Sequence, residues 1–93
     1  VEITYDPNKR DWTLQVRGLD FEHAPEIFAG EQFERQSDAR DYGEPRFVTA
    51  GYLRGRMVVV VWTPREDSRH IIPMKFAHAK EEKRWKDADA RRR

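Results

Sequence analysis

Six consecutive apolar residues, Met57-Val58-Val59-Val60-Val61-Trp62, constrain what this chain can fold into more than any other stretch. A β-branched run that is apolar at nearly every position reads as a strand covered on both faces, so it belongs at the centre of a sheet. Before it, Phe47, Thr49, Gly51 and Leu53 alternate with Val48, Ala50 and Tyr52, and Arg54-Gly55 separates the two runs as a hairpin turn. The apolar run is far short of the roughly 20 residues that a membrane span needs, and no basic-then-apolar leader opens the chain. The expectation is a cytoplasmic protein with no membrane contact.

The flanking segments supply the other elements. Alternation at Val1, Ile3 and Tyr5 predicts a strand, and Asp6-Pro7 is a helix start, because the carboxylate accepts an orphan N–H and proline has none to lose. Trp12, Val16 and Leu19, with Leu14 nearby, mark the expected inner face of that helix, and Gly18 is placed to end it. Asp20 opens a second helix with Phe21, Ala24, Ile27 and Phe28 inward, made short or irregular by Pro25. "EQFERQ" reads as a strand, "SDARDYGEP" as a loop, and "RHIIPM" as a short strand in which Pro73 fits only at an end or an edge. From Lys75 onward a helix is expected, docked by its beginning, with i,i+4 pairs Glu82/Lys86 and Lys83/Asp87. The order β-α-α-β-β-β-β-α makes a small α+β domain over residues 1–90, an antiparallel sheet with its helices mainly on one face, and residues 91–93 a disordered basic tail.

Several chemistries are disfavoured. The absence of cysteine removes disulfides and thiolate zinc sites, and the scattered glycines form no phosphate loop. No metal is expected, since His78 and Glu82 are the lone pair at helical ligand spacing, and nothing cationic or nucleophilic surrounds His23. The charge is uneven instead. Residues 1–64 hold 8 Lys/Arg against 11 Asp/Glu, net −3, and residues 65–93 hold 10 against 6, net +4.

That cationic half begins where the apolar strand ends, with Arg65, Arg69, His70, Lys75, His78 and Lys80. If the neighbouring strand and helix flank the central strand, these side chains converge at one edge and suit a phosphate. The spacing alone equally allows a solvated rim of salt bridges to Glu66, Asp67 and Glu81.

"YDPNK", "RGLDFEHAPEIF", "GEPRF", "GRMVVVVWTPR" and "RHIIPMKFAHAKE", in that order between residues 3 and 85, make the chain resemble the BrnT toxins. The resemblance implies a RelE-like fold with two N-terminal helices and one C-terminal helix. It also implies an endoribonuclease of a type II toxin–antitoxin system, cleaving RNA without metal or cofactor. A BrnA-like antitoxin would neutralise it, and operator DNA would be bound only through the antitoxin complex. The family's ending usually reads R-x-x-x-x-R-I-I-S-x-R-x-A-x-x-x-E with an aromatic four residues later. Arg65, Ile71, Ile72, Ala77 and Glu81 stand on that pattern, and Trp85 takes the aromatic place. His70 and Lys75 replace arginines and Pro73 replaces serine, so Lys75 lacks a bidentate fork for phosphate.

Metal-free cleavage would use the RNA's own 2′-hydroxyl, and needs a proton taken, charge stabilised and a proton returned. The expected catalytic set is Arg65, His70, Lys75 and Glu81. Arg65 serves as phosphate clamp and Lys75 can share that role; His70 is the proton carrier, and Glu81 acts as base or orients a cation. Arg46, Arg69, Lys80 and Trp85 are the expected RNA contacts, with Arg69 also able to clamp phosphate. Two rival readings are a catalytically weakened module that acts with the antitoxin as operon co-repressor, and a domain of similar shape that binds a small anion or another protein.

Overall fold

The computed structural model describes residues 2–37 and 43–91; Val1, most of the "SDARDYGEP" loop and Arg92-Arg93 of the expected tail lie outside them. Five strands, β1 (Glu2–Tyr5), β2 (Gln32–Gln36), β3 (Phe47–Leu53), β4 (Arg56–Arg65) and β5 (Ser68–Phe76), form one sheet in the order β1-β5-β4-β3-β2. Helices α1 (Pro7–Arg17), α2 (Ala24–Ala29) and α3 (Ala79–Arg91) complete the α+β domain, with a 3-10 turn at Phe21–His23. Arg91, expected in the tail, is the last residue of α3.

The apolar run is central, as its composition requires. Val58, Val60 and Trp62 join Leu19, Phe21, Ala24 and Ile27 in one core, while Met57 and Val59 join Val48, Ala50 and the half-buried Trp85 in another. The helices therefore lie on both faces rather than mainly on one: α1, the 3-10 turn and α2 on the first, α3 on the second. A strand with no polar face leaves neither side to solvent, and the thin apolar stripe of α3 is what covers the second. Arg54 and Gly55 both have positive φ, 52° and 87°, as the two-residue turn matching strand twist demands. At Gly51 an added Cβ would stand 2.7 Å from Ile27 Cγ2, so α2 packs directly on the backbone of β3.

The sheet is mixed, not antiparallel. β1 runs parallel to β5, pairing Thr4 with His70 and Tyr5 with Ile71, whereas every other neighbour is antiparallel. β5 is also longer than expected, so Lys75 and Phe76 are strand rather than helix. Between β4 and β5, Trp62 faces Ile71 and Val60 faces Met74, so Ile72 and Pro73 together oppose Val61. This is a β-bulge, whose extra residue has no ladder partner, and a proline costs little there. β1 has ended by this point, and Arg17 of α1 donates to the Met74 carbonyl at 2.8 Å.

The orientation of α1 departs most from expectation. Trp12, Leu14 and Val16 are 52%, 41% and 61% exposed, and the residue it buries is Thr13. Its inward stripe is Arg10, Thr13 and Arg17: Arg10 makes two 2.9 Å hydrogen bonds to Asp20, and Arg17 holds β5. These three directional bonds fix the helix rotation against its apolar pattern. Asp6 caps α1 through Asn8 N–H, and Asp20 caps the 3-10 turn through Glu22 N–H. Because the helix restarts at Ala24, Pro25 falls in the first turn of α2, where its missing donor is harmless. Both i,i+4 pairs on α3 form, Lys86–Glu82 at 3.0 Å and Lys83–Asp87 at 2.8 Å.

The Arg10 guanidinium holds the Asp20 carboxyl at about 2 instead of 3.8. A depressed carboxyl stabilises the fold above its unfolded value and loses that contribution as pH falls through its folded one. Asp20→Asn keeps the capping oxygen but removes the charge; it should cost about 1 kcal/mol at neutral pH, the linkage value reduced by solvent screening. Urea unfolding should show that difference disappearing between pH 4 and pH 2.

Candidate active site

Register decides which cations share a face. Val59 lies in the core under α3, and its direct partner across the ladder is Lys75, which therefore projects on the same side. Strand alternation carries that face from Val59 to Thr63 and Arg65, and Thr63 pairs with His70. His70 and Lys75 are an odd number of residues apart, so on a regular strand they would face opposite ways. The bulge at Ile72-Pro73 shifts the count by one and returns both to the α3 side. Arg46 projects there too, because the next residue, Phe47, stacks on Trp62 on the other face.

Arg65 and His70 form one group at the end of the sheet that α3 leaves uncovered. Thr4 Oγ1 lies 2.8 Å from His70 Nδ1, and Arg65 Nη2 donates to Glu44 Oε1 at 3.1 Å. Between them Thr63 is buried and donates to the Pro45 carbonyl at 2.6 Å, which fixes the segment carrying Glu44 and Arg46. Partial burial pushes the His70 pKa below 6.5, the Arg65 cation lowers it further, Lys9 adds to that, and Glu44 and Asp6 oppose it. The hydrogen bond from Arg65 holds the Glu44 carboxyl below its ordinary value. An imidazole kept neutral beside a guanidinium suits accepting a proton next to a bound anion.

Lys75 and Glu81 form a second group. Their Nζ and Oε2 are 3.6 Å apart, and Glu81 Oε1 is buried without a hydrogen-bond partner among the described residues. Along the sheet Lys75 is about 13 Å from His70, because their partners Val59 and Thr63 stand four residues apart on β4 at about 3.3 Å each. The two groups share a face but do not touch.

The remaining expected RNA contacts scatter. Arg69 is on the opposite face, its guanidinium 4.1 Å from the Phe28 ring centroid and 4.9 Å from that of Trp62. Lys80 is exposed on the first turn of α3 and forms no ion pair among the described residues. Trp85 is half-buried over the second core, with Arg35 5.7 Å from its ring. It lines a cleft of about 600 Å³ between β2 and α3 with Phe33, Arg35 and Arg84.

Two contributors were not found from sequence. Thr4 reaches His70 through a parallel pairing across 66 positions, which no local pattern announces. Glu44 stood inside the quoted "GEPRF", but its partner Arg65 is a strand away. Among the described residues no three His, Asp or Glu side chains are grouped to hold a metal ion, and no helix is long and apolar enough to cross a membrane.

Residues 5–81 match the family model described as ribonuclease toxin, BrnT, of type II toxin-antitoxin system. No curated protein matches the chain significantly.

Since Arg65 lowers the His70 pKa, Arg65→Ala should raise it toward 6.5. A depressed imidazole stabilises the fold above pH 6.5 and loses that contribution as pH falls through the folded value, so this variant should also be less acid-sensitive near that pH. NMR titration of the His70 ring protons gives the first result, and urea midpoints at pH 5 and pH 7 give the second.

Proposed function

The chain belongs to the BrnT family of ribonuclease toxins of type II toxin–antitoxin systems, and from that premise we propose that it is a RelE-like, metal-independent endoribonuclease. The 2′-hydroxyl of the substrate attacks the adjacent phosphorus and expels the 5′-oxygen, leaving a cyclic phosphate. The observation that carries this reading is Arg65 and His70 on one open face, a permanent cation beside an imidazole with a depressed pKa.

In this reading Arg65 holds the scissile phosphate, exchanging its Glu44 carboxylate for a phosphate oxygen, and stabilises the negative charge of the crowded transition state. His70 takes the 2′-hydroxyl proton, and the imidazolium so formed supplies the departing 5′-oxygen. Arg46 adds positive charge on the same side. Lys75, oriented by Glu81, is too far along β5 for the same phosphate and meets a neighbouring one. Trp85 offers its edge to a base at the cleft. Arg69 takes no part, because Phe28 and Trp62 hold it on the other face.

A type II toxin family implies an antitoxin partner. We assign that role to a BrnA-like protein that covers the cationic face in the cytoplasm and carries the toxin to operator DNA. A second reading, a weakened module that survives as co-repressor, is favoured by the separation of Lys75 from His70, which leaves one arginine on the scissile phosphate.

A defined RNA incubated with the purified protein should yield cyclic-phosphate ends, unchanged by EDTA. His70→Ala and Arg65→Ala should each lower the rate by about 100-fold or more. Arg69→Ala should cleave normally while losing about 1 kcal/mol of stability, the scale of a cation–π contact. Cleavage by the Arg65→Ala/His70→Ala double variant at the wild-type rate would refute this site, and no cleavage by the wild type would leave the co-repressor reading.

A further inference from the structure

We infer that Thr4 positions His70, gripping the ring at Nδ1 so that Nε2 is the nitrogen presented to substrate. The inference rests on the proposed role of His70 as proton carrier. Thr4 stands one residue before the span that matches the family model. The pairing is thus a property of this chain's own residues.

Three observations support it. Parallel pairing of β1 with β5 sets Thr4 directly beside His70, so the two side chains leave the sheet on the same side. The Oγ1–Nδ1 separation is 2.8 Å, and among the described residues it is the one hydrogen bond to the imidazole. Thr4 also immediately precedes Tyr5 and the Asp6 cap of α1, which anchors the end of β1.

Chemistry then selects the direction of that bond. A hydroxyl that donates to Nδ1 loses its partner once the ring is protonated, because both ring nitrogens then carry hydrogen. A hydroxyl that accepts from Nδ1–H serves both states. With Thr4 as acceptor, Nε2 is a lone pair when the ring is neutral and an N–H when it is charged, so one atom both takes and returns the proton. The charged groups facing this ring are Arg65, Lys9, Glu44 and Asp6. Thr4 adds a neutral acceptor to that set and fixes geometry without altering net charge.

Long-range ¹H–¹⁵N correlation spectra of the free protein test this without any substrate. Wild-type His70 should be mainly the Nδ1–H tautomer. Thr4→Val, which keeps the β-branched strand preference, should mix the tautomers and lower the pKa of the ring, since an acceptor favouring the charged form is gone. Thr4→Ser should restore both, and Thr4→Ala should repeat the valine result with a smaller side chain. In cleavage assays Thr4→Val should lower kcat by about tenfold, the scale of one hydrogen bond, with KM little changed and the low-pH limb displaced toward acid. A valine variant with the wild-type tautomer and titration would overturn the inference. Wild-type cleavage by His70→Ala would instead overturn the catalytic reading, leaving the spectroscopic result on Thr4 to stand by itself.

Discussion

Everything in this molecule follows from a strand that cannot face water on either side. Val58, Val60 and Trp62 demand one cover and Met57 and Val59 another, so a chain of 93 residues builds a three-layer structure with α1 and α2 below the sheet and α3 above. α3 is short of apolar residues and covers only part of its face. The end of β4 that it leaves open carries Thr63 and Arg65, with His70 alongside. A rigid, dry interior therefore runs directly into an exposed polar surface, where charges are held by a sheet rather than by loops.

Local signals told the truth where local physics decides. The apolar strand, the Arg54-Gly55 turn, the Asp6-Pro7 helix start and the paired charges of α3 were all legible, because each depends on residues within a few positions of one another. What could not be read depends on distant partners. Trp12 and Val16 have perfect helical spacing, yet α1 is turned by Arg10 toward Asp20 and by Arg17 toward a carbonyl on β5. The parallel placement of β1 is likewise invisible to alternation, and with it went Thr4. Arg69 beside His70 looked like a second clamp, but adjacent residues on a strand face opposite sides, and the aromatic pair Phe28 and Trp62 accounts for its charge.

The partnership of Arg65 with Glu44 gives the proposed site a resting state. A guanidinium that already gives one N–H to a carboxylate is not bare when an anion arrives; a phosphate either takes that carboxylate's place or shares the cation with it. Such exchange makes the discrimination depend on what phosphate offers beyond a carboxylate, namely more oxygens and more charge in the transition state. The same pairing keeps the cation aligned when no substrate is bound.

The bulge at Ile72-Pro73 reaches further than its size suggests. Because it resets the parity of β5, the residues after it owe their side of the sheet to a single uncounted position. Deleting one of its two residues would leave a regular strand with every face kept, whereas flattening the bulge with both residues retained would exchange the faces all the way to α3, turning Met74 to the α3 side and Lys75 into the core that α1 and α2 cover. At its present length, what this stretch must keep is the bulge itself, the one irregularity that lets an extra residue sit in β5 without turning over the strand beyond it.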